Sequence, residues 1–189
     1  MISKMTVRSV AGYCFESALW KILLDISKDS GNRDDKDWQI VTPDNVIIEG
    51  EDFLISKSEL QVPSKEFYPP EGVENLDEAG MVWSLGALVC YASSGHCIFG
   101  GSGGAYQHSH PTVGLPVLRK EHSALTPLVQ KCLNYSPKER ISLKDVHAAA
   151  EEGLKASKMK ERTAIRPEQT EVRDFVKVSN DLWPEEMGY

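Results

Sequence analysis

Two histidines one residue apart, His108 and His110, lie on a glycine-rich stretch shortly after His96 and Cys97. Imidazole nitrogen and thiolate sulfur are zinc ligands, but a zinc site takes three or four ligands and a second shell to orient them. Spacing alone supplies neither, so no metal is expected. Cys97 with a histidine, or a serine with a histidine, has the residue types of a nucleophile and its base. A third group must orient such a base, and none can be named from the sequence. The run GGSGG (Gly100–Gly104) has glycines enough to approach a phosphate closely. It follows a helical pattern, lacks the GxxxxGK[ST] signature and has no strand–helix unit around it, so a flexible loop is expected. Two acidic groups, Asp34, Asp35 and Asp37 on one loop and Glu74, Asp77 and Glu78 on another, are candidate contacts for a basic peptide. Their ordinary role is to be solvated.

Regular elements must position these groups. From Val10 to about Lys28 the rows Val10, Cys14, Ala18, Ile22 and Phe15, Leu19, Leu23, Ile26 form one wide apolar face, predicting a largely buried helix. The charged segment that follows, with Gly31 and Asn32, reads as a solvated loop. Val46–Ile48 and Phe53–Ile55, parted by EGED, predict a β-hairpin with Gly50 in its turn. Residues 56–72 hold three prolines and no clear period and read as loop. Helix returns over Gly80–Ala92, with Met81, Leu85, Leu88 and Ala92 on one stripe, and then an irregular surface connection. Thr126 is the expected N-cap of the next helix, with Pro127 at its first position. Ser142, with Asp145 three residues on, predicts a capping box for the last one, which continues inward through Val146, Ala149, Ala150 and Leu154.

The chain has 189 residues, 41% hydrophobic and 26% charged, which is ample for one domain with a real core. A formal net charge of −7 argues against a nucleic-acid binder. The four cysteines form no CxxC pair, and Cys14, Cys90 and Cys132 sit in apolar runs, where a thiol is a small buried hydrophobe. No run approaches the ~20 apolar residues that span a bilayer, and the first ten residues lack the apolar core of a signal peptide. A cytoplasmic protein is expected.

Four short motifs fall in a recognisable order. TPDNVII (Thr42–Ile48) resembles the "KPENIL" end of the protein-kinase catalytic loop. YPPEG (Tyr68–Gly72) resembles the APE motif that closes the kinase activation segment. VWSLGALV (Val82–Val89) looks like the DxWSLG start of the central helix of the kinase C-lobe, and KCLNYSPKERISLKDV (Lys131–Val146) resembles the late signature that carries the partner arginine. The resemblance covers roughly residues 38–154. It implies an internal ion pair between Glu71 and Arg140 and a structural role for Trp83.

The same alignment removes the chemistry. The HRD triplet falls on Trp38, Gln39 and Ile40, and an isoleucine at the catalytic position can neither accept a proton nor orient a hydroxyl. The lysine position is Thr42. Asn45 keeps the metal-binding asparagine, but ISKSE (Ile55–Glu59) stands where DFG would be, and Met81 replaces the aspartate that holds the catalytic loop from the central helix. Upstream there is no glycine-rich strand pair and no VAIK-type lysine.

A kinase C-lobe without N-lobe or catalytic residues resembles the KIND family (kinase non-catalytic C-lobe domain), found in Spire-type actin nucleators, a large non-receptor tyrosine phosphatase and a Ras exchange factor. The opening helix around Trp20 is similar to that family's first helix. The resemblance implies a mainly α, C-lobe-like domain over residues 1–156, an extension over 157–189, no cofactor and a non-catalytic role in binding a protein or peptide. In the Spire case an acidic groove takes a basic formin tail, so a basic segment is the first partner to consider. The rival reading is a degenerate lobe with residual nucleotide binding, completed by another chain. In the extension, Phe175, Val178, Leu182 and Trp183, followed by Pro184, Glu185 and Glu186, suggest a fold-back onto the lobe or a linker.

Overall fold

A central helix that is apolar all round can only be buried, and α3 (Glu78–Ser94) is the axis on which this chain is built. Asp77 caps it, its carboxylate accepting from Gly80 N–H at 2.9 Å, and Gly95 ends it in the left-handed conformation at φ 77°. Every residue from Gly80 to Cys90 is buried, not one stripe alone. The computed structural model describes residues 5–31, 38–56, 63–110 and 114–181. The expected acidic loop Asp34, Asp35 and Asp37 lies outside them, as do Lys57–Glu59 of the position where DFG would be.

Ahead of α3 come α1 (Val7–Val10), α2 (Glu16–Gly31) and a hairpin of β1 (Val46–Glu49) with β2 (Asp52–Ile55). The hairpin pairs Val46 with Ile55 and Glu49 with Asp52, and Gly50 sits in its turn at φ 65°. After α3 come α4 (Gly104–Ser109), α5 (Thr126–Cys132) and α6 (Leu143–Asp181), with 3₁₀ turns at Lys65–Phe67, Gly100–Ser102 and Lys120–Leu125. Helix makes up 57% of the chain and strand 6%, so the class is mainly α with one small hairpin. The contacts divide the chain into Met1–Leu154 and Lys155–Tyr189. In the second unit the helical backbone continues to Asp181; the side chains of Phe175 and Val178, and residues 182–186, lie outside what is described. No helix among the described residues is long and apolar enough to cross a membrane.

The structure departs from the expected elements at three places. The first helix does not run from Val10. Gly12, at φ 84°, donates its N–H to Ala92 O at 2.8 Å, and Arg119 reaches Gly12 O and Ser94 O, so the chain breaks to dock on the end of α3. Phe15 consequently faces solvent, 78% exposed, while Leu19, Ile22, Leu23 and Ile26 are buried as their spacing requires. Thr126 is not an N-cap: it has helical φ/ψ, and its hydroxyl accepts from Leu118 N–H at 3.2 Å, because a 3₁₀ turn runs directly into α5.

The third departure is the glycine-rich connection, which is ordered. Gly103 lies against the carbonyls of Lys65 and Tyr68, Gly104 N–H donates to Tyr68 O at 2.8 Å, and Phe99 is buried. A Cβ on Gly104 would lie 2.3 Å from Pro70 N. Gly103 and Gly104 serve close backbone packing against the Lys65–Pro70 stretch.

Candidate partner-binding site

The segment Ile40–Val46 follows two half-buried residues, Trp38 and Gln39, and passes under α3. Ile40 is 3% exposed, so position 40 belongs to the core and presents nothing to solvent. Its backbone is held by side chains. Asn45 Nδ2 donates to Ile40 O at 2.8 Å, Asn45 Oδ1 accepts from Thr42 N–H at 2.8 Å, and Thr42 Oγ1 accepts from Asn45 N–H at 3.3 Å. Asn45 is therefore occupied at both ends of its amide. From above, Ser84 Oγ accepts from Val41 N–H at 3.0 Å and donates to Met81 O at 2.8 Å. Met81, 1% exposed, contributes packing only.

Beside this loop, Arg140 and Glu71 form a bidentate pair at 2.6 and 3.0 Å. The same guanidinium donates to Ala79 O at 2.6 Å, Asn134 O at 3.0 Å and Tyr135 O at 3.4 Å. Its side chain is wholly buried whereas that of Glu71 is 29% exposed. This one cation therefore ties the start of α3, the YPPEG segment and the loop before α6 together.

An open cleft of about 510 Å³ lies next to the pair, bounded by Trp38, Leu76, Asp77, Glu78, Pro137 and Ile141 among others. Of the expected acidic contacts, the structure brings Asp77 and Glu78 to this cleft, while Glu74 is exposed on the preceding turn. Both cleft carboxylates also do internal work. Asp77 caps α3, and Glu78 Oε1 accepts Leu143 N–H at 2.7 Å, capping α6 from a different helix. Ser142 caps the same helix through Asp145 N–H at 3.1 Å, as expected, but the Asp145 carboxylate returns to the serine hydroxyl at 2.7 Å.

The other reactive side chains stay apart. His108 stacks on Tyr135 and hydrogen-bonds its hydroxyl, whereas His110 stacks on Tyr106, so the two imidazoles turn to different tyrosines. No group of three or more metal-binding side chains forms among the described residues. Cys97 Sγ donates to Glu66 Oε2 at 3.1 Å; burial first, and that carboxylate second, push its thiol up to about 12. Trp83 is buried and stacks on Phe99 at 5.5 Å, consistent with a packing role.

Sequence reasoning passed over Ser84 and the placing of Trp38 on the cleft. Ser84 carried a usable signal: a hydroxyl in a buried apolar stretch can give its proton to the helix backbone and still accept from a donor outside the helix. Trp38 carried none, since an aromatic after a charged run fits either a wall or a core. No protein-family model matches this chain, and no curated protein matches it either.

Proposed function

We propose that this chain is a non-catalytic protein-binding module of the kinase C-lobe type, akin to KIND domains, working in the cytoplasm and docking a partner segment at the Trp38–Asp77 cleft. The observation that carries the reading is the pairing of a kept frame with a closed loop. Glu71 and Arg140 join as the C-lobe resemblance requires, while the position that would abstract a proton is a buried isoleucine. The amide oxygen of Asn45, the one retained metal-type residue, already accepts from Thr42 N–H.

The cleft offers an aromatic wall, apolar sides in Leu76 and Ile141, and two carboxylates at the start of α3. That mixture suits a segment with basic and apolar side chains, in keeping with a chain of net charge −7. Free thiols at all four cysteines fit a reducing compartment.

Two titrations test the proposal. With ATP and Mg²⁺ the melting temperature should not move; a saturable, magnesium-dependent rise would overturn the non-catalytic reading and favour a lobe completed by another chain. A panel of labelled basic and acidic peptides should show binding for the basic set that weakens in Asp77→Asn, which keeps the cap and removes the charge. Equal binding by both sets, or no effect of that substitution, would remove the cleft from consideration.

A further inference from the structure

A loop that passes beneath a buried helix must have its amides met by something, and residues 40–46 have few backbone partners of their own. Val46 N–H goes to Thr42 O, and Asn45 and Thr42 satisfy each other. Val41 N–H, on a wholly buried residue, points at α3, where every residue from Met81 to Cys90 except Ser84 and Gly86 is apolar. Ser84 Oγ meets it at 3.0 Å and completes the relay by donating to Met81 O at 2.8 Å. Ser84 is wholly buried and Val41 equally so, so no solvent can stand in for either group.

We infer that Ser84 is the positioning residue of the candidate site: its hydroxyl is the tether through which α3 fixes the Ile40–Asn45 loop and, at the loop's start, the Trp38 wall of the cleft. The carboxylate expected to hold such a loop would have stood at Met81, one helical turn earlier. The hydroxyl at Ser84 performs the holding without bringing a charge into the core. A loop stripped of chemistry yet still anchored is a loop kept for its shape. What the positioning serves rests on the binding reading above; the tether itself does not.

The test is amide hydrogen exchange on the full chain, with 5-fluorotryptophan NMR alongside, the Trp38 signal being assigned through Trp38→Phe. In the unmodified protein Val41 should exchange as slowly as the Val46 amide, which is bonded to Thr42 O. Ser84→Ala should speed Val41 exchange at least tenfold, leave the capped amides of Gly80 and Leu143 unchanged, and shift or broaden the Trp38 fluorine signal. Ser84→Thr, which keeps the hydroxyl, should retain protection. Fast exchange at Val41 in the unmodified protein would overturn the tether even if neither variant folds. Equal acceleration at every amide would reduce Ser84 to a packing residue. Faster Val41 exchange with an unmoved Trp38 signal would sever the tether from the cleft. Failure of every peptide to bind, with these exchange results intact, would count against the proposed function alone.

Discussion

The Arg140 guanidinium grips both carboxylate oxygens of Glu71, at 2.6 and 3.0 Å, from a position 69 residues away in the chain. Its remaining donors close on the carbonyls of Ala79, Asn134 and Tyr135, so no fully buried charge in this arrangement is left without partners. The pair holds the start of α3 against the loop that leads into α6.

Arg140→Ala should therefore cost about 3–4 kcal/mol, because it strands a half-covered carboxylate and several buried carbonyls together. Arg140→Lys should recover less than half of that, since an ammonium cannot reproduce the planar fork. Denaturant midpoints with unchanged slopes would check both; a lysine variant as stable as the parent would show that the fork geometry is immaterial.

Within the run Gly100–Gly104 two substitutions should behave in opposite ways. Gly101 has open space where a Cβ would go, so Gly101→Ala should stay within about 0.5 kcal/mol of the parent. Gly104→Ala would drive a methyl into the Pro69–Pro70 backbone and should cost about 2 kcal/mol or more. Thermal melts of the two variants side by side make the comparison, and equal stability would mean the run is not packed as described.

How much of this was legible beforehand depends on distance along the chain. The hairpin, the buried central helix and the Ser142 cap rest on patterns a few residues long, and the sequence displays them. The Glu71–Arg140 partnership was accessible through motif order. The break at Gly12 was not, because its conformation answers to Ala92 and Arg119, and helical spacing continues straight through it. For the same reason the order in the glycine-rich run escaped notice: glycine composition predicts freedom equally well whether or not another backbone comes to lie against it.

The start of α6 carries two caps from different parts of the chain. Glu78→Ala should lose about 1 kcal/mol through Leu143 N–H, and Ser142→Ala a similar amount through Asp145 N–H. Because each serves a different amide, the double variant should lose nearly the sum. A double-mutant cycle with a large coupling term would instead mean that one cap fails once the other is removed.

Thiol chemistry gives a prediction with a definite sign in pH. Cys97 and Cys132 are both pushed up to about 12, each chiefly by burial. At pH 8 the Cys97 thiolate should be roughly a thousandfold scarcer than that of an ordinary thiol, making alkylation correspondingly slow. Glu66→Gln removes the carboxylate that adds to the effect at Cys97 and should speed its labelling, read by peptide mass spectrometry. Since the folded thiols ionise later than unfolded ones, their contribution to stability is whole below about pH 8.5 and declines as the pH rises from there. Stability that rose over that range would contradict their burial.

Ile40 bears on any attempt to engineer a phosphotransferase from this scaffold. An aspartate set at that position would enter the hydrophobic interior with 3% of the residue in contact with water, and its carboxyl would resist ionising. Asn45 would have to surrender its grip on Thr42 before it could turn to a magnesium ion. Ile40→Asp alone should therefore cost stability without presenting an ionised carboxylate to solvent: the packing around position 40 works as a ratchet against opening the loop.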